Sequence, residues 1–463
     1  MKNFDTVIYG GQVVNSTHTV ACDVGILDGR IVALGEGLEG GRERIDANNL
    51  LVLPGGIDSH VHLDQPSGSA IMADDFTSGT RSAAFGGNTL VLPFALQPLG
   101  ESLENAVQAY QAKAQGVAFT DYSFHPIVTD PSQAVLDELP NVIRSGHRSL
   151  KIFMAYDGLK LTDRQILDVF AVAAREQALV MIHAENYDMI KFSTDALASE
   201  GKLAPKYHAN AHATAAEEEA TNRILALAEW MNVAIAILHV STPRAIEEIR
   251  AAKGRGIQVY AETCPQYLVL TAKDLDRPGK EGAKFVCSPP PRDAVGQAAC
   301  WEGLKNNGVF DLFSSDHCPF RFEGPGGKQP SFGELDFRSI PNGIPGIETR
   351  LPILFSEGVT TGKIDVNRFV ALSSTNHAKI YGFHPKKGLI AVGADADIVL
   401  WDPSRRAMIT QDSLHHGCDY TPYEGLQITG WPIRTLLGGK TVVHEGKLCA
   451  EPGIGQFRAQ GVG

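Results

Sequence analysis

Positive charge is in short supply in this chain. Lys and Arg total 41 against 53 Asp and Glu, for a formal net charge of -12, and no local run of Lys or Arg offsets it. Such a balance repels phosphate backbones and argues against nucleic acid as a partner. Long hydrophobic runs are also missing. The most apolar internal stretches, such as Val233 to Val240, have strand length and are far too short to span a bilayer. The opening Met1-Lys2-Asn3-Phe4-Asp5 lacks the uninterrupted apolar stretch of a secretory signal. Cysteine is sparse: seven residues are scattered with no CxxC pair. They read as reduced thiols and not as a disulfide framework. These absences predict a cytoplasmic protein that engages neither membrane nor nucleic acid.

What is present suits a large globular enzyme. The 463 residues are 43% hydrophobic and 20% charged, enough for one large domain and a smaller one, with a core able to exclude water from an active site. The first 50 residues read as short strands with Gly turns. Asp28-Gly29 between Val24-Gly25-Ile26-Leu27 and Ile31-Val32-Ala33-Leu34 is a hairpin signal. The same texture returns at Ala396 to Trp401, Thr435 to Leu437 and Thr441-Val442-Val443. Both chain ends are therefore expected to combine into one small β-sandwich-like domain, residues 1–53 and 385–463.

Between them, residues 54–384 alternate short apolar runs with helical stretches, the pattern of a parallel sheet. Eight candidate strands centre on Leu51–Leu53, Thr89–Pro93, Tyr122–Pro126, Ser149–Ala155, Leu179–His183, Ala234–His239, Ile257–Ala261 and Phe310–Ser315. Helices are expected at Ser102 to Ala114, Asp163 to Glu176 and Thr242 to Ala252. The expected fold is an α/β class (β/α)8 TIM-type barrel. The stretch from Cys264 to Val309 is too long for a plain connection and is expected to carry loops over the site.

Residues capable of chemistry sit where the strands end. His60 and His62 have the i, i+2 spacing that points two side chains to one side of a strand, so they can share a metal. Alone, such a pair can equally be two solvated loop histidines. His183, His239 and Asp316 each close an apolar run. A single such histidine is more often a hydrogen-bonded core residue, but catalytic groups in this fold gather at the C-terminal ends of strands. Lys151 lies inside the apolar Ser149-Leu150-Lys151-Ile152-Phe153-Met154-Ala155-Tyr156. A buried lysine is rare because its charge is costly to desolvate. It is either a snorkelling or salt-bridged lysine, or a neutral amine carboxylated by carbon dioxide, whose carbamate bridges two cations.

In order along the chain, His60–His62, Lys151 to Tyr156, His183-Ala184-Glu185-Asn186, Leu238-His239-Val240-Ser241 and Ser315-Asp316-His317-Cys318-Pro319-Phe320 resemble the motifs of the dihydropyrimidinase/hydantoinase family of the amidohydrolase superfamily. The likeness extends to Ala73-Asp74-Asp75-Phe76, Ala84-Phe85-Gly86-Gly87, Ala261 to Tyr267, Cys287-Ser288-Pro289-Pro290 and Asn342 to Glu348. The resemblance implies metal-dependent hydrolysis of the amide C–N bond in a cyclic ureide or imide, by a hydroxide bridging two divalent ions, with zinc the expected metal. It assigns His60, His62, Asp316 and carboxylated Lys151 to one metal, and His183, His239 and the same Lys151 to the other. Tyr156 would polarise the scissile carbonyl, main-chain groups of Ser288 and Asn342 would hold the ring, and Asp316 would carry the proton to the leaving nitrogen. A homotetramer is implied as well. Allantoinase- or dihydroorotase-type enzymes share the ligands but lack the tyrosine. A non-catalytic relative of the collapsin response mediator kind would have lost ligands that are all present here.

Departures fall near the substrate. Leu63-Asp64-Gln65-Pro66-Ser67-Gly68-Ser69 stands where hydantoinases often carry Leu-Asp-Met-Pro-Phe-Gly-Gly, His212-Ala213-Thr214 replaces an Arg-Pro-Pro-like stretch, and Pro291 replaces Leu or Met. Plainer readings apply elsewhere. His317 is expected to be structural, Cys264, Cys287 and Cys318 packing residues, and His415-His416 an exposed pair. Glu217-Glu218-Glu219 is expected as the solvated start of a helix, and Gly324-Pro325-Gly326-Gly327 as a mobile loop.

Overall fold

A computed structural model describes residues 4–329 and 335–462. Its centre is a parallel barrel. Strand Gly56–Val61 pairs with Asn88–Leu96. Asn88–Leu96 pairs in turn with a third strand in two pieces, Asp121–Tyr122 and His125–Ile127. Ser149–Phe153, Leu179–His183, Ile235–Ile237, Val259–Thr263 and Leu312–Phe313 follow in sequence order, each parallel to its neighbour. A parallel bridge between Val61 and His317 brings the last strand back to the first. Among the described residues, no helix is long and apolar enough to cross a membrane.

The first barrel strand corrects the expectation placed on Leu51–Leu53. That apolar run forms Leu51–Pro54, which pairs with Ile398–Met408 and with Gln12–Val14, outside the barrel. The true first strand is buried along its length yet reads as polar. Asp58 lies 3.5 Å from the buried Arg350, and Ser59 Oγ bonds His377 Nδ1 at 3.0 Å. A strand that buries polar groups against partners from distant parts of the chain carries no hydrophobic signal.

The helices form where their sequence caps allow. Asp163–Glu176 begins with Thr162 and Gln165 in a reciprocal capping box. Leu103–Ala114 is capped by the Ser102 side chain. Pro243–Gly254 starts with Pro243 behind the capping Thr242. The two chain ends build two sheets. One runs Arg30–Gly35, Asp23–Leu27, Thr6–Tyr9, Glu43–Asp46; the other contains Gln12–Val14, Leu51–Pro54, Ile398–Met408 and Gln427–Leu437. Val13, Val24, Ile26, Ile31, Val52, Ile398 and Leu436 pack in one apolar cluster there. The Asp28-Gly29 turn has φ of 51° and 74°, the positive pair that a two-residue hairpin turn requires.

Candidate active site

The C-terminal rim of the barrel carries the chemical side chains. The ligand atoms of His60, His62 and Asp316 lie within 4.8 Å of one another, and all three residues are buried. His60 Nε2 is 3.0 Å and His62 Nε2 3.5 Å from the same Asp316 oxygen. Beside them, His183 Nδ1 faces His239 Nε2 at 2.9 Å. The His60 and His239 ring centroids are 5.4 Å apart, so the two groups adjoin. Lys151 is 1% exposed, and its Nζ lies 5.0 Å from the Phe94 ring centroid and 4.6 Å from that of Phe153. Its charge acts on His183 and His239, and Asp316 acts on it in turn.

Partners set which nitrogen each histidine offers. Glu262 Oε1 accepts from His60 Nδ1 at 2.6 Å, and Gln65 Oε1 from His62 Nδ1 at 2.8 Å, which turns both Nε2 atoms toward Asp316. Glu185 Oε2 accepts from His183 Nε2 at 2.8 Å, which leaves Nδ1 toward His239. Glu185 is itself held by His212 Nδ1 at 2.9 Å. Burial lowers the His183 pKa, and burial together with His183 puts His239 well below its ordinary value, so both rings stay neutral. Neutral imidazoles are donors suited to divalent cations, whereas His60, despite its burial, is raised to about 9 by the Asp316 and Glu262 charges and must give up a proton to ligate. Burial also drops Lys151 to about 7, so its amine is readily available unprotonated. Burial works against the Asp316 carboxylate, but the His60 charge and hydrogen bonds from His60 and His62 hold it well below the usual range.

Backbone strain marks the same places. Tyr156, His239 and Asp316 have φ of 74°, 39° and 50°, a region that non-glycine residues seldom occupy and that clusters at functional sites. The cavity over the rim holds about 250 Å³ and is lined by all six expected ligand residues, by Tyr156, Ser288 and Asn342, and by Gln65, Ser67, Met72, Phe153 and Leu159. Burial, then the Glu185 charge, push the Tyr156 phenol far above its ordinary pKa, and it remains a donor. Burial likewise raises the thiols of Cys264, Cys287 and Cys318, which makes them poor nucleophiles.

Several residues depart from expectation. Gln65 does not simply face a substituent, because its side-chain oxygen is committed to His62. Glu217 is not solvated. It is 2% exposed, on the inner helix face with Ala220, Thr221 and Ile224, and it pairs with Arg292 at 3.0 Å and accepts from Ser241 N at 2.8 Å. The pair His415-His416 is not exposed either. His415 bonds Glu348 at 2.8 Å, and His416 is buried beside Asp74 and Cys418. That trio is a second donor cluster among the described residues, and most of its atoms are committed, His416 Nε2 being the buried exception. Asp74 binds Gly417 N and His317 Nε2, His416 Nδ1 accepts from Cys418 N, and the Cys418 thiol bonds Phe320 O. The unassigned partners Glu185 and Glu262 had a signal in the sequence. Each is a carboxylate at the end of an apolar strand, and Glu185 stands two residues beyond a candidate ligand.

Imidazoles, a carboxylate and a buried lysine gathered at one rim of a parallel barrel define a class, the amidohydrolases. Residues 51–442 match the amidohydrolase family. The D-hydantoinase of Geobacillus stearothermophilus is 44% identical over 454 residues, spanning 97% of this chain and 95% of that protein. The D-hydantoinase of Rhizobium radiobacter is 43% identical over 455 residues, 98% of each chain. The crystal structure of dihydropyrimidinase from Brevibacillus agri superposes with a TM-score of 0.96 at 43% identity and covers 99% of both chains. The chain belongs to the dihydropyrimidinase/hydantoinase family of amidohydrolases.

Proposed function

We propose that this protein hydrolyses the amide C–N bond of a cyclic ureide or imide of the dihydropyrimidine or hydantoin type. The observation that carries the reading is the adjoining of His60–His62–Asp316 and His183–His239 around one buried lysine. Two divalent cations, zinc by donor chemistry, would be held by His60, His62 and Asp316 and by His183 and His239, with a carboxylated Lys151 common to both. When bound, such ions acidify water toward neutral pH and polarise a carbonyl.

The chain's own groups do the rest. Main-chain groups of Ser288 and Asn342 orient the ring, and the buried cavity excludes bulk water. The Tyr156 hydroxyl donates to the carbonyl oxygen as negative charge develops there. Asp316, kept ionised by its histidines, takes the proton of the attacking water and delivers it to the departing ring nitrogen. The enzyme works as a cytoplasmic homotetramer. Residues 1–53 and 385–463 supply the small β-domain, the end of the latter being a tail that lies against the barrel at Tyr122, Phe124 and Ser149, and 54–384 form the catalytic domain.

A hydrolysis panel of cyclic ureides, imides and lactams, run with elemental analysis, tests this reading. The expected result is two metal ions per chain, loss of activity on chelation and recovery on adding zinc. Fully active protein with one metal or none rules out the two-metal site, and a panel without turnover rules out the activity.

Specificity follows from the cavity wall. Ser67 stands where hydantoinases often carry an aromatic residue, Met72, Phe153 and Leu159 supply apolar surface, and Ile71 is 60% exposed and outside the lining. A missing aromatic side chain forfeits part of the ~1.5–3 kcal/mol that its burial provides. Unsubstituted hydantoin or dihydrouracil is expected to show higher kcat/KM than phenylhydantoin, and Ser67→Phe is expected to narrow the gap. A clear preference of the unmodified enzyme for phenylhydantoin contradicts this.

A further inference from the structure

Behind the cavity wall lies a buried cation that the proposed chemistry does not use. Lys328 is 1% exposed, and its Nζ donates to Val286 O at 2.7 Å and to Pro341 O at 2.8 Å. Burial lowers its pKa to about 8, and among the described residues the groups that pull it back up are the thiols of Cys287, Cys318 and Cys418. A buried ammonium costs free energy unless its hydrogen bonds compensate, so the location of those bonds matters.

Both acceptors lie on the segments that face the substrate. Val286 stands two residues before Ser288, and Pro341 directly precedes Asn342. The segments also touch each other, with Gly343 N donating to Val286 O at 3.1 Å. Gly343 has φ of 154°, and a Cβ there would lie 2.5 Å from Cys318 Sγ. The second segment is thus pressed against the residue two positions beyond Asp316. The turn that carries Lys328 is anchored independently. Lys328 N bonds Arg321 O at 2.9 Å, Asp419 accepts from Phe322 N at 2.6 Å and from Glu323 N at 3.0 Å, and Gly326 O accepts from Ile71 N at 3.2 Å. One strap therefore contacts the Ser288 wall, the Asn342 wall and the loop that carries Met72.

We propose that Lys328 is a positioning residue that clamps the Val286–Ser288 and Pro341–Gly343 segments at the spacing the substrate ring requires. The inference rests on the functional reading above, in which those segments hold the ring. It makes Lys328 a determinant of substrate affinity, with no part in holding metal or moving protons.

The test is Lys328→Met in the full-length, metal-loaded enzyme with dihydrouracil or hydantoin as substrate. Loss of a charged hydrogen bond predicts a KM about tenfold to a hundredfold higher. Uniform loss of binding leaves kcat within about threefold. Two metals per chain should remain. Lys328→Arg, which keeps cation and donors, should return KM most of the way to the unmodified value. If Lys328→Met does not fold, Lys328→Gln against Lys328→Arg decides, with KM higher in the glutamine variant. An unchanged KM in folded Lys328→Met, equal KM values in Gln and Arg variants, or metal lost in step with activity overturns the clamp. Absence of turnover in the unmodified enzyme overturns the functional reading instead, so the two failures are distinct.

Discussion

Lys151→Ala is expected to fold, to carry little metal and to lose hydrolysis by at least about 10³-fold, because several kcal/mol of charge stabilisation go with the metals. The reason lies in the burial of this amine. Desolvation brings it to about 7, so a neutral amine is present at physiological pH. Burial outweighs the charges of Asp316 and Glu262, which favour the protonated form. In the proposed site, reaction with carbon dioxide would replace that amine with an anion two cations could share. Short carboxylic acids added to the alanine variant should therefore restore part of the metal and part of the activity. A thermal melt separates this effect from unfolding, since removing the side chain also leaves a void beside the rings of Phe94 and Phe153. Crystallographic density showing an unmodified amine between two occupied metal positions contradicts the assignment, as does an alanine variant with ordinary turnover.

Tyr156→Phe is expected to lower kcat by about 10²–10³-fold, the usual cost of removing one donor from an oxyanion site. KM should change little, because the hydroxyl acts on charge that appears only in the transition state. The position of the phenol supports the proposed role. It lines the cavity, its ring centroid is 5.1 Å from that of His183, and its backbone holds a φ of 74°. Buried beside Glu185, it does not ionise, so it is available as a donor at any working pH. Unchanged kcat in the phenylalanine variant removes Tyr156 from the mechanism.

The barrel was legible because seven of its eight strands announce themselves as apolar runs, and most of those runs end in a residue fit for chemistry. The remaining strand, Gly56–Val61, was misplaced by one short segment. Its Asp58, Ser59 and His60 are buried with partners from distant parts of the chain, and a hydrophobicity pattern does not register buried polar groups. Glu217 failed similarly. Three consecutive glutamates suggest a solvated helix start, yet 3.6-residue periodicity places the first of them on the inner face, where Arg292 awaits it.

The sequence by itself determined the fold class, the order of the histidines, lysine and aspartate along it, and the helix starts at Thr162 and Thr242. Those features depend on residues within a few positions of one another, on strand alternation, caps and turn chemistry. Only the tertiary structure decided which nitrogen each histidine presents, that Gln65 supports His62, that His416 is buried, and that Lys328 joins two walls of the cavity. Each depends on how distant or looped segments meet in space. His60 and Glu262 are separated by 202 positions, Lys328 and Val286 by 42. Local propensity carries no term for such pairs. They are set by barrel closure and by the cost of leaving buried polar groups unpaired once the barrel is closed.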